Sequence, residues 1–264
     1  MKTITFFLFL AIPLSLIGQG KIDSIKKSTK SKSEQKSYYT SSSDNNNSNN
    51  YSVLGDVLLT VINMVPSESE LTQMHGAPMR LQKYPYYSKG AGKTSRNMEG
   101  RTYFTSEFEA NYIWESNNLQ GGNIKARLNF SPKFSASVKG NFYKEQIENY
   151  SPDYLGTLHA NASYHLFAYT GFDGWAGVGY SHLFVADDFS GWNINLGTEI
   201  YLFKPISLYT EWYFSFLDDD VSMVEGTVAM KLYINRFYFQ GGYNELKVND
   251  IRLSGPMLGI GLVL

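Results

Sequence analysis

The chain contains no cysteine among its 264 residues. This absence excludes a disulfide scaffold, a metal site built on thiolates and an N-terminal lipoprotein anchor. An excess of one charge is also missing, because 23 Lys and Arg residues balance 24 Asp and Glu residues, for a formal net charge of −1. A nearly neutral chain has no field that would attract a polyanion, so nucleic acid is excluded as a partner.

Long apolar runs are absent beyond the first 18 residues, where no stretch approaches the ~20 residues that a membrane-spanning helix requires. The run Phe6–Ile17 follows Lys2 and is itself too short to span a bilayer. A basic start, a short apolar core and small residues at its end predict a signal peptide over residues 1–18, cleaved before Gln19. We therefore expect an exported protein.

Three segments follow before the patterned part of the chain. Residues 19–50 are rich in Lys, Ser and then Asn, and this composition predicts a disordered linker. Residues 51–73 place Leu54, Val57, Leu58, Val61, Ile62 and Val65 at helical spacing ahead of Pro66, which predicts a short amphipathic helix. Residues 74–100 are predicted as an irregular lead-in, although residues 80–87 could supply an extra strand.

Residues 101–264 alternate between apolar and polar side chains, which is the period of a β-strand with two different faces. The first run sets Phe104, Phe108, Ala110, Tyr112 and Trp114 against Glu107, Glu109 and Asn111, and the last run ends with Leu258, Ile260, Leu262 and Leu264. Such runs recur roughly every sixteen residues, which suits strands of about 9–11 residues plus a connection. We predict an all-β fold, an antiparallel transmembrane β-barrel of about ten strands, with eight or twelve left open.

The placement of aromatic residues favours a membrane barrel over a soluble barrel or sandwich. The polar face is modestly charged, whereas the apolar face carries Trp, Tyr and Phe near the strand ends, as membrane–water interfaces select. Tight connections alternate with longer polar ones: 131–133, 167–170, 204–205 and 235–236 against 115–122, 147–153, 186–190, 217–220 and 245–254. This layout and an even strand count predict an outer-membrane location with both termini in the periplasm.

The polar face is expected to fill a narrow lumen, because about ten strands leave little more than room for side chains. Its charged members are Glu107, Glu109, Lys125, Arg127, Lys139, Glu199, Glu211, Glu225 and Lys231. Buried charges are tolerated only in pairs. Neighbouring strands carry Glu107 and Glu109 beside Lys125 and Arg127, and Glu211 beside Glu225 and Lys231. These neighbours predict an ion-pair network that largely closes the lumen.

Catalytic and ligand-binding alternatives rest on a few residues. His159, Ser163 and His165 with Glu199 or Glu211 suggest a lipid-modifying hydrolase, but the alternation points these side chains inward. As metal ligands, His159 and His165 would lie far apart, because each residue advances a strand by ~3.3 Å. The acidic residues Asp187, Asp188 and Asp218–Asp220 lie in predicted loops. They are interpreted either as solvated residues at the loop tips or as a site for a cation or other ligand outside the cell. We expect no catalytic residues, cofactor or metal.

The segment 101–264 resembles small Gram-negative outer-membrane β-barrels of the OmpA/OmpX-like and porin-like class. The resemblance is carried by the alternating strands, their aromatic ends and the final strand Gly259–Leu264. It implies insertion by the barrel-assembly machinery through that last strand, whose signal usually ends in an aromatic residue and here ends in Leu264. We expect a structural or accessory barrel in contact with outer-membrane lipid, with an envelope partner bound by the N-terminal segment. The alternative is a narrow channel for ions or small solutes.

Overall fold

The structure is a computed structural model that describes residues 20–38, 78–87, 91–96, 99–147 and 151–264, with backbone alone for residues 31–38. The predicted signal peptide, 1–18, and the predicted helix, 51–73, lie outside the described residues. Within these ranges, no helix combines the length and apolar character needed to cross a membrane.

Ten strands form a closed antiparallel barrel, which confirms the predicted all-β antiparallel barrel and its strand number. In chain order the elements are α1 (Lys21–Tyr38), β1 (Arg80–Gln82), β2 (Thr94–Ser95), β3 (Arg101–Thr102), β4 (Thr105–Trp114), β5 (Leu119–Asn129), β6 (Phe134–Glu145), β7 (Asp153–Tyr169), β8 (Phe172–Phe184), β9 (Asp188–Phe203), β10 (Ile206–Leu217), β11 (Ser222–Ile234), β12 (Phe237–Val248) and β13 (Ile251–Val263). Strands β4–β13 make the barrel, and β1–β3 form a separate small sheet.

Each barrel strand pairs with its neighbours in sequence, and β13 returns to pair with β4. Closure satisfies the backbone donors and acceptors that a sheet edge would leave unpaired. The N–H of Ser106 donates to the carbonyl of Leu264, and the N–H of Leu264 donates back to Ser106, so the last residue of the chain belongs to this seam. The alternation along each strand therefore divides the side chains into an inward set and an outward set.

The barrel has two distinct ends. At one end, which we call the sheet end, β4 begins, β13 finishes and the connections 130–133, 170–171, 204–205 and 235–236 turn the chain. At the other, the cap end, the connections are 115–118, 146–152, 185–187, 218–221 and 249–250. The two sets differ less in length than the sequence predicts, because ladder pairing extends into the polar residues. Lys247 pairs with Arg252, for example, inside the predicted loop 245–254.

Helix α1 covers the cap end, where the sequence predicts only disordered linker. Ile22 and Ile25 are fully buried against apolar side chains at the mouth of the barrel. The Glu145 carboxylate accepts the backbone N–H groups of Lys21, at 3.1 Å, and Ile22, at 2.8 Å, in the first turn of the helix. The prediction of disorder over 19–50 is wrong for Lys21–Tyr38, since the barrel supplies the apolar surface and the anion that this polar sequence lacks.

The lead-in residues form the small sheet at the sheet end, and residues 80–87 contribute only the short strand β1 to it. The N–H of Gly171, in the β7–β8 turn, donates to the carbonyl of Ala91 at 2.7 Å. The ring of Tyr86 packs edge-on against Tyr201 and Tyr233, with centroids 5.6 and 5.8 Å away. These contacts seat the sheet, which we call the N-terminal sheet, in the barrel mouth.

Candidate functional site in the barrel interior

The barrel interior is polar and densely packed. All nine charged residues named from the sequence lie inside the barrel, and all but Glu109 are at most 7% exposed. Asn, Ser, Thr and His side chains surround them, among them Asn111, Asn123, Asn141, Asn161, Asn193, Asn195, Ser181, Thr227 and His159. Such a core requires partners for its charges, because an unpaired buried charge carries a large desolvation cost.

Near the sheet end, a lysine from the lead-in completes the first set of ion pairs. The Nζ of Lys93 lies 2.9 Å from Oε1 of Glu107 and 3.4 Å from Oε2 of Glu199. Ser207 Oγ and Tyr233 Oη donate to the other oxygen of Glu199 at 2.7 and 2.6 Å. The N-terminal sheet thus places a cation between two carboxylates on β4 and β9, on either side of the lumen.

The protonation states of Lys93 and Tyr86, near the sheet end, follow from their burial and from the neighbouring carboxylates. Burial alone would lower the pKa of Lys93, but the carboxylates of Glu107 and Glu199 outweigh it and raise the pKa above its usual value. Burial, with the nearby Glu199 carboxylate, raises the pKa of Tyr86 to about 12. Lys93 is therefore charged and Tyr86 neutral at physiological pH, which is the state that their contacts require.

In the middle of the barrel, Glu211 on β10 holds two cations from β5. The Nη2 of Arg127 lies 2.7 Å from Oε1 of Glu211, and Lys125 pairs with its Oε2. The hydroxyl of Tyr209 donates to that Oε2 at 2.7 Å and accepts from Lys125 at 2.8 Å. The guanidinium of Arg127 also stacks over the Trp175 ring, 4.2 Å from its centroid.

Beside this cluster, Lys231 and Glu109 make a looser pair. Their Nζ and Oε2 atoms are 3.8 Å apart, and the hydroxyl of Tyr238 donates to the same Oε2 at 3.0 Å. Lys231 lies over the rings of Tyr209 and Tyr238, at 3.9 and 4.7 Å from their centroids. Cation–π attraction supplements the ion pair in this desolvated setting.

Towards the cap end, Glu225 on β11 is the centre of a third cluster. Lys139 pairs with its Oε1, while Asn141 Nδ2 and His159 Nε2 contact its Oε2 at 2.7 and 2.9 Å. The other ring nitrogen of His159 is 2.7 Å from Oγ of Ser181. Both strands β6 and β7 are thereby tied to β11 across the lumen.

The pairing differs from the neighbour-strand pairing that the sequence predicts. Glu107 and Arg127 are register partners on adjacent strands, yet Arg127 pairs with Glu211 across the lumen. Lys93 was not among the predicted residues, because it lies in a stretch without periodicity. One signal pointed to it: the nine predicted residues comprise five carboxylates and only four cations, and Lys93 supplies the fifth cation.

Two Ser–His–acid arrangements occur inside the barrel, neither of them the predicted one. Ser181, His159 and Glu225 form the first. In the second, His165 Nε2 lies 2.9 Å from Ser135 Oγ and its Nδ1 lies 2.6 Å from Asp173 Oδ1, with all three residues at most 5% exposed. The predicted Ser163 instead lies 3.5 Å from Asn195 Oδ1. Both arrangements are enclosed by packed side chains, so their evident effect is to join strands.

A small cavity lies among the charged side chains in the middle of the barrel. The cavity lined by Glu107, Glu109, Lys125, Arg127, Tyr209 and Lys231 has a volume of about 10 Å³, about the size of a single water site. Contacts across the barrel recur at three heights, through Arg127–Glu211, Lys139–Thr227 and Tyr143–Asn244. In the described residues, no group of three or more His, Cys, Asp or Glu side chains is arranged to hold a metal ion.

The outward-facing side chains of the barrel are mainly apolar, whereas the exterior of a soluble protein is usually polar. Large apolar side chains on every barrel strand are exposed, including Ile124 at 69%, Leu258 at 71% and Val178 at 56%. Aromatic residues concentrate at the two rims: Tyr103, Phe104, Phe130, Phe134, Phe203 and Phe237 at the sheet end, and Tyr112, Trp114, Phe142, Tyr154, Tyr180 and Phe216 towards the cap end. The band between them is mainly aliphatic and includes the aromatic residues Phe108, Phe239 and Tyr243.

No family model matches the chain, and no curated protein is significantly similar to it. The class that the fold and interior define is a closed ten-stranded β-barrel with a polar, filled core and an apolar outer wall.

Proposed function

We propose that the protein is an outer-membrane β-barrel with a structural or accessory role in the cell envelope and with a closed lumen. The observation that carries this proposal is the inversion of polarity. Charged and amide side chains fill the interior, whereas exposed aliphatic residues between two aromatic rims cover the outside. Soluble monomers rarely expose continuous apolar patches above a few hundred Å², whereas a lipid-facing wall has this band and these girdles.

The filled interior supports the structural role over a channel. Five Lys and Arg side chains pair with five glutamates within the lumen, and contacts at three heights join opposite walls. A conducting pore needs a continuous polar path, and α1 and the N-terminal sheet occupy the two mouths. Contact with lipid would then be made by the wall, and contact with an envelope partner by exposed parts of α1 and the connections.

Flotation and conductance together test this proposal. The mature chain is refolded with lipid vesicles, washed with alkaline carbonate and separated on a density gradient, and the same preparation is fused to a planar bilayer. We expect the folded barrel to float with the lipid and to give no steady openings. A folded barrel that stays at the bottom of the gradient would contradict the membrane location. Steady, ion-selective openings would contradict the closed lumen and support the channel alternative.

A further inference from the structure

An apolar groove of about 690 Å³ runs across the outer wall of the barrel. It crosses six neighbouring strands, in the order β12, β13, β4, β5, β6 and β7. Two successive outward rows of the ladder line it, and on β4–β6 these rows are Phe108, Ala126 and Val138, then Ala110, Ile124 and Gly140. The volume lies within the range of small-molecule sites, ~300–1,000 Å³, so the groove is large enough to hold a ligand.

The width of the groove selects the kind of ligand. The two rows are ~6.7 Å apart, which is the advance of two residues along a strand. An α-helix, ~10–12 Å across with its side chains, is wider than this space. An extended peptide would leave its backbone N–H and C=O groups unpaired against apolar side chains, at a high cost. A hydrocarbon chain has no such groups, and its carbon atoms would contact both rows at about 4 Å.

The length and slope of the groove match one leaflet of a membrane. Six strands at a spacing of ~4.8 Å span about 24 Å. Because the strands of a membrane barrel tilt by ~35–45°, a row of the ladder rises about 14–17 Å over this distance. One leaflet contributes about 15 Å to a hydrocarbon core of ~30 Å. The groove therefore extends over the depth that a single acyl chain occupies.

The two ends of the groove differ in polarity. One end lies at the sheet-end rim, because Phe237, which lines it, is the first residue of β12. Arg236, in the turn directly before Phe237, is exposed there. The other end lies inside β7, at Leu158, among apolar neighbours. A guanidinium at the rim and apolar side chains beyond it complement a molecule with a phosphate head and a hydrocarbon tail.

We infer that this groove binds one acyl chain of a membrane glycerophospholipid, whose phosphate group lies at Arg236. The inference rests on the proposed function, since it takes the surrounding wall to be in contact with lipid, and it adds a defined lipid site to that wall. A lipid bound in this way is held by the two rows and by a charge, so it stays with the barrel when detergent replaces the rest of the membrane.

Filling the groove tests where the acyl chain binds. The folded full-length chain is titrated in detergent with dioleoylphosphatidylglycerol, and the complexes are counted by native mass spectrometry. We expect one saturable lipid per barrel. Ala126→Phe and Gly140→Phe each fill the groove and should weaken binding by about tenfold or more, because the chain loses its contacts. A Cβ on Gly140 has its nearest neighbour at 3.8 Å, so the barrel accommodates this outward side chain. Ala162→Phe, at an exposed position of β7 outside the groove, is the matched control and should leave binding unchanged.

Replacing the cation tests where the phosphate lies. Arg236→Gln should weaken the binding of dioleoylphosphatidylglycerol roughly tenfold, because a charge-assisted contact is lost. It should not change the binding of dioleoylglycerol, which has the same acyl chains and no phosphate. Arg252→Gln removes an exposed arginine at the cap end and serves as the control.

Several results would overturn the inference. These are no retained lipid, equal affinity in the groove variants and the Ala162 control, an unchanged affinity in the Arg236 variant, or a dimer that Ala126→Phe abolishes, which would place a second copy in the groove. Any of them in a protein that floats with vesicles would leave the proposed function standing. A barrel that binds the lipid in detergent as expected but does not float would contradict the proposed function alone.

Discussion

Arg127 on β5 and Glu211 on β10 meet across the barrel, with Nη2 of the arginine 2.7 Å from Oε1 of the glutamate. The two strands are five places apart in the ten-strand order, as far as the barrel allows. Because Lys125 pairs with the same carboxylate, Glu211 is the shared anion of two cations that have been removed from water.

Glu211→Gln should therefore be strongly destabilising. The change leaves Lys125 and Arg127 without their shared anion, and breaking a buried pair in this way costs about 3–5 kcal/mol. The free energy of unfolding, measured by urea titration in vesicles, checks this expectation. Glu245→Gln is the matched control, because its partner Arg252 is exposed and a surface pair contributes about 0–1 kcal/mol. Equal effects of the two substitutions would contradict the assigned role of Glu211.

Lys93→Met should release the N-terminal sheet from the barrel mouth. The substitution keeps the apolar stem but leaves Glu107 and Glu199 buried without their cation. We expect faster proteolysis at the basic residues of 78–102 and a loss of roughly 1–3 kcal/mol in the free energy of unfolding. Lys83→Met, at an exposed position of the same segment, serves as the control. Unchanged proteolysis of the Lys93 variant would show that the ion pairs do not hold the sheet.

Alkaline pH should weaken the binding of the N-terminal sheet to the barrel mouth. The pKa of Tyr86 rises from 10 to about 12 on folding, and that of Lys93 also rises. From about pH 10 upward, the folded state retains protons that the unfolded state has lost, so the stability that is fully present below this pH declines as pH increases. Proteolysis of the segment followed from pH 8 to 11.5 should accelerate only above about pH 10. Acceleration already at pH 8–9 would contradict the assignment.

Ile25→Asp should detach α1 from the cap end. Ile25 is fully buried in the apolar cluster at the barrel mouth, and a carboxylate there would lack a partner among the apolar residues around it. Cleavage after Lys26, Lys27 and Lys30 by trypsin should become faster while the barrel itself stays folded. Ser24→Asp, on the exposed side of the helix, is the control. Equal cleavage rates in the two variants would contradict the docking of the helix.

Gly261→Ala should destabilise the barrel, whereas Gly140→Ala should be tolerated. A Cβ on Gly261 would collide with the ring of Tyr238, whose hydroxyl is held by Glu109. A Cβ on Gly140 has its nearest neighbour at 3.8 Å, an ordinary contact on the outer wall. We expect a loss of about 1–3 kcal/mol for the first substitution, from overpacking, and less than about 1 kcal/mol for the second. Similar urea midpoints for both variants would contradict this expectation, because they would show that the Tyr238 ring moves aside without loss of stability.

The sequence predicts the barrel and the inward side chains because alternation is a local property of each strand. Every second residue after Glu107 and Lys125 faces the lumen, whatever the remaining strands do. The partners of these charges depend on side chains that reach across a closed barrel, so neighbour-strand reasoning misassigned Arg127. Lys93 and α1 were missed for a related reason, since each is stabilised by groups on distant strands, Glu199 and Glu145 among them.

The membrane location can be tested most directly by quenching tryptophan fluorescence with brominated lipids. Two variants each retain one tryptophan, Trp114, which is 50% exposed on the outer wall, or Trp175, which is 2% exposed inside the barrel. In vesicles whose acyl chains carry bromine, we predict strong quenching of Trp114 and little quenching of Trp175. If the folded protein showed no quenching of Trp114, the apolar wall would not be in contact with lipid, and the account of a membrane barrel would be contradicted.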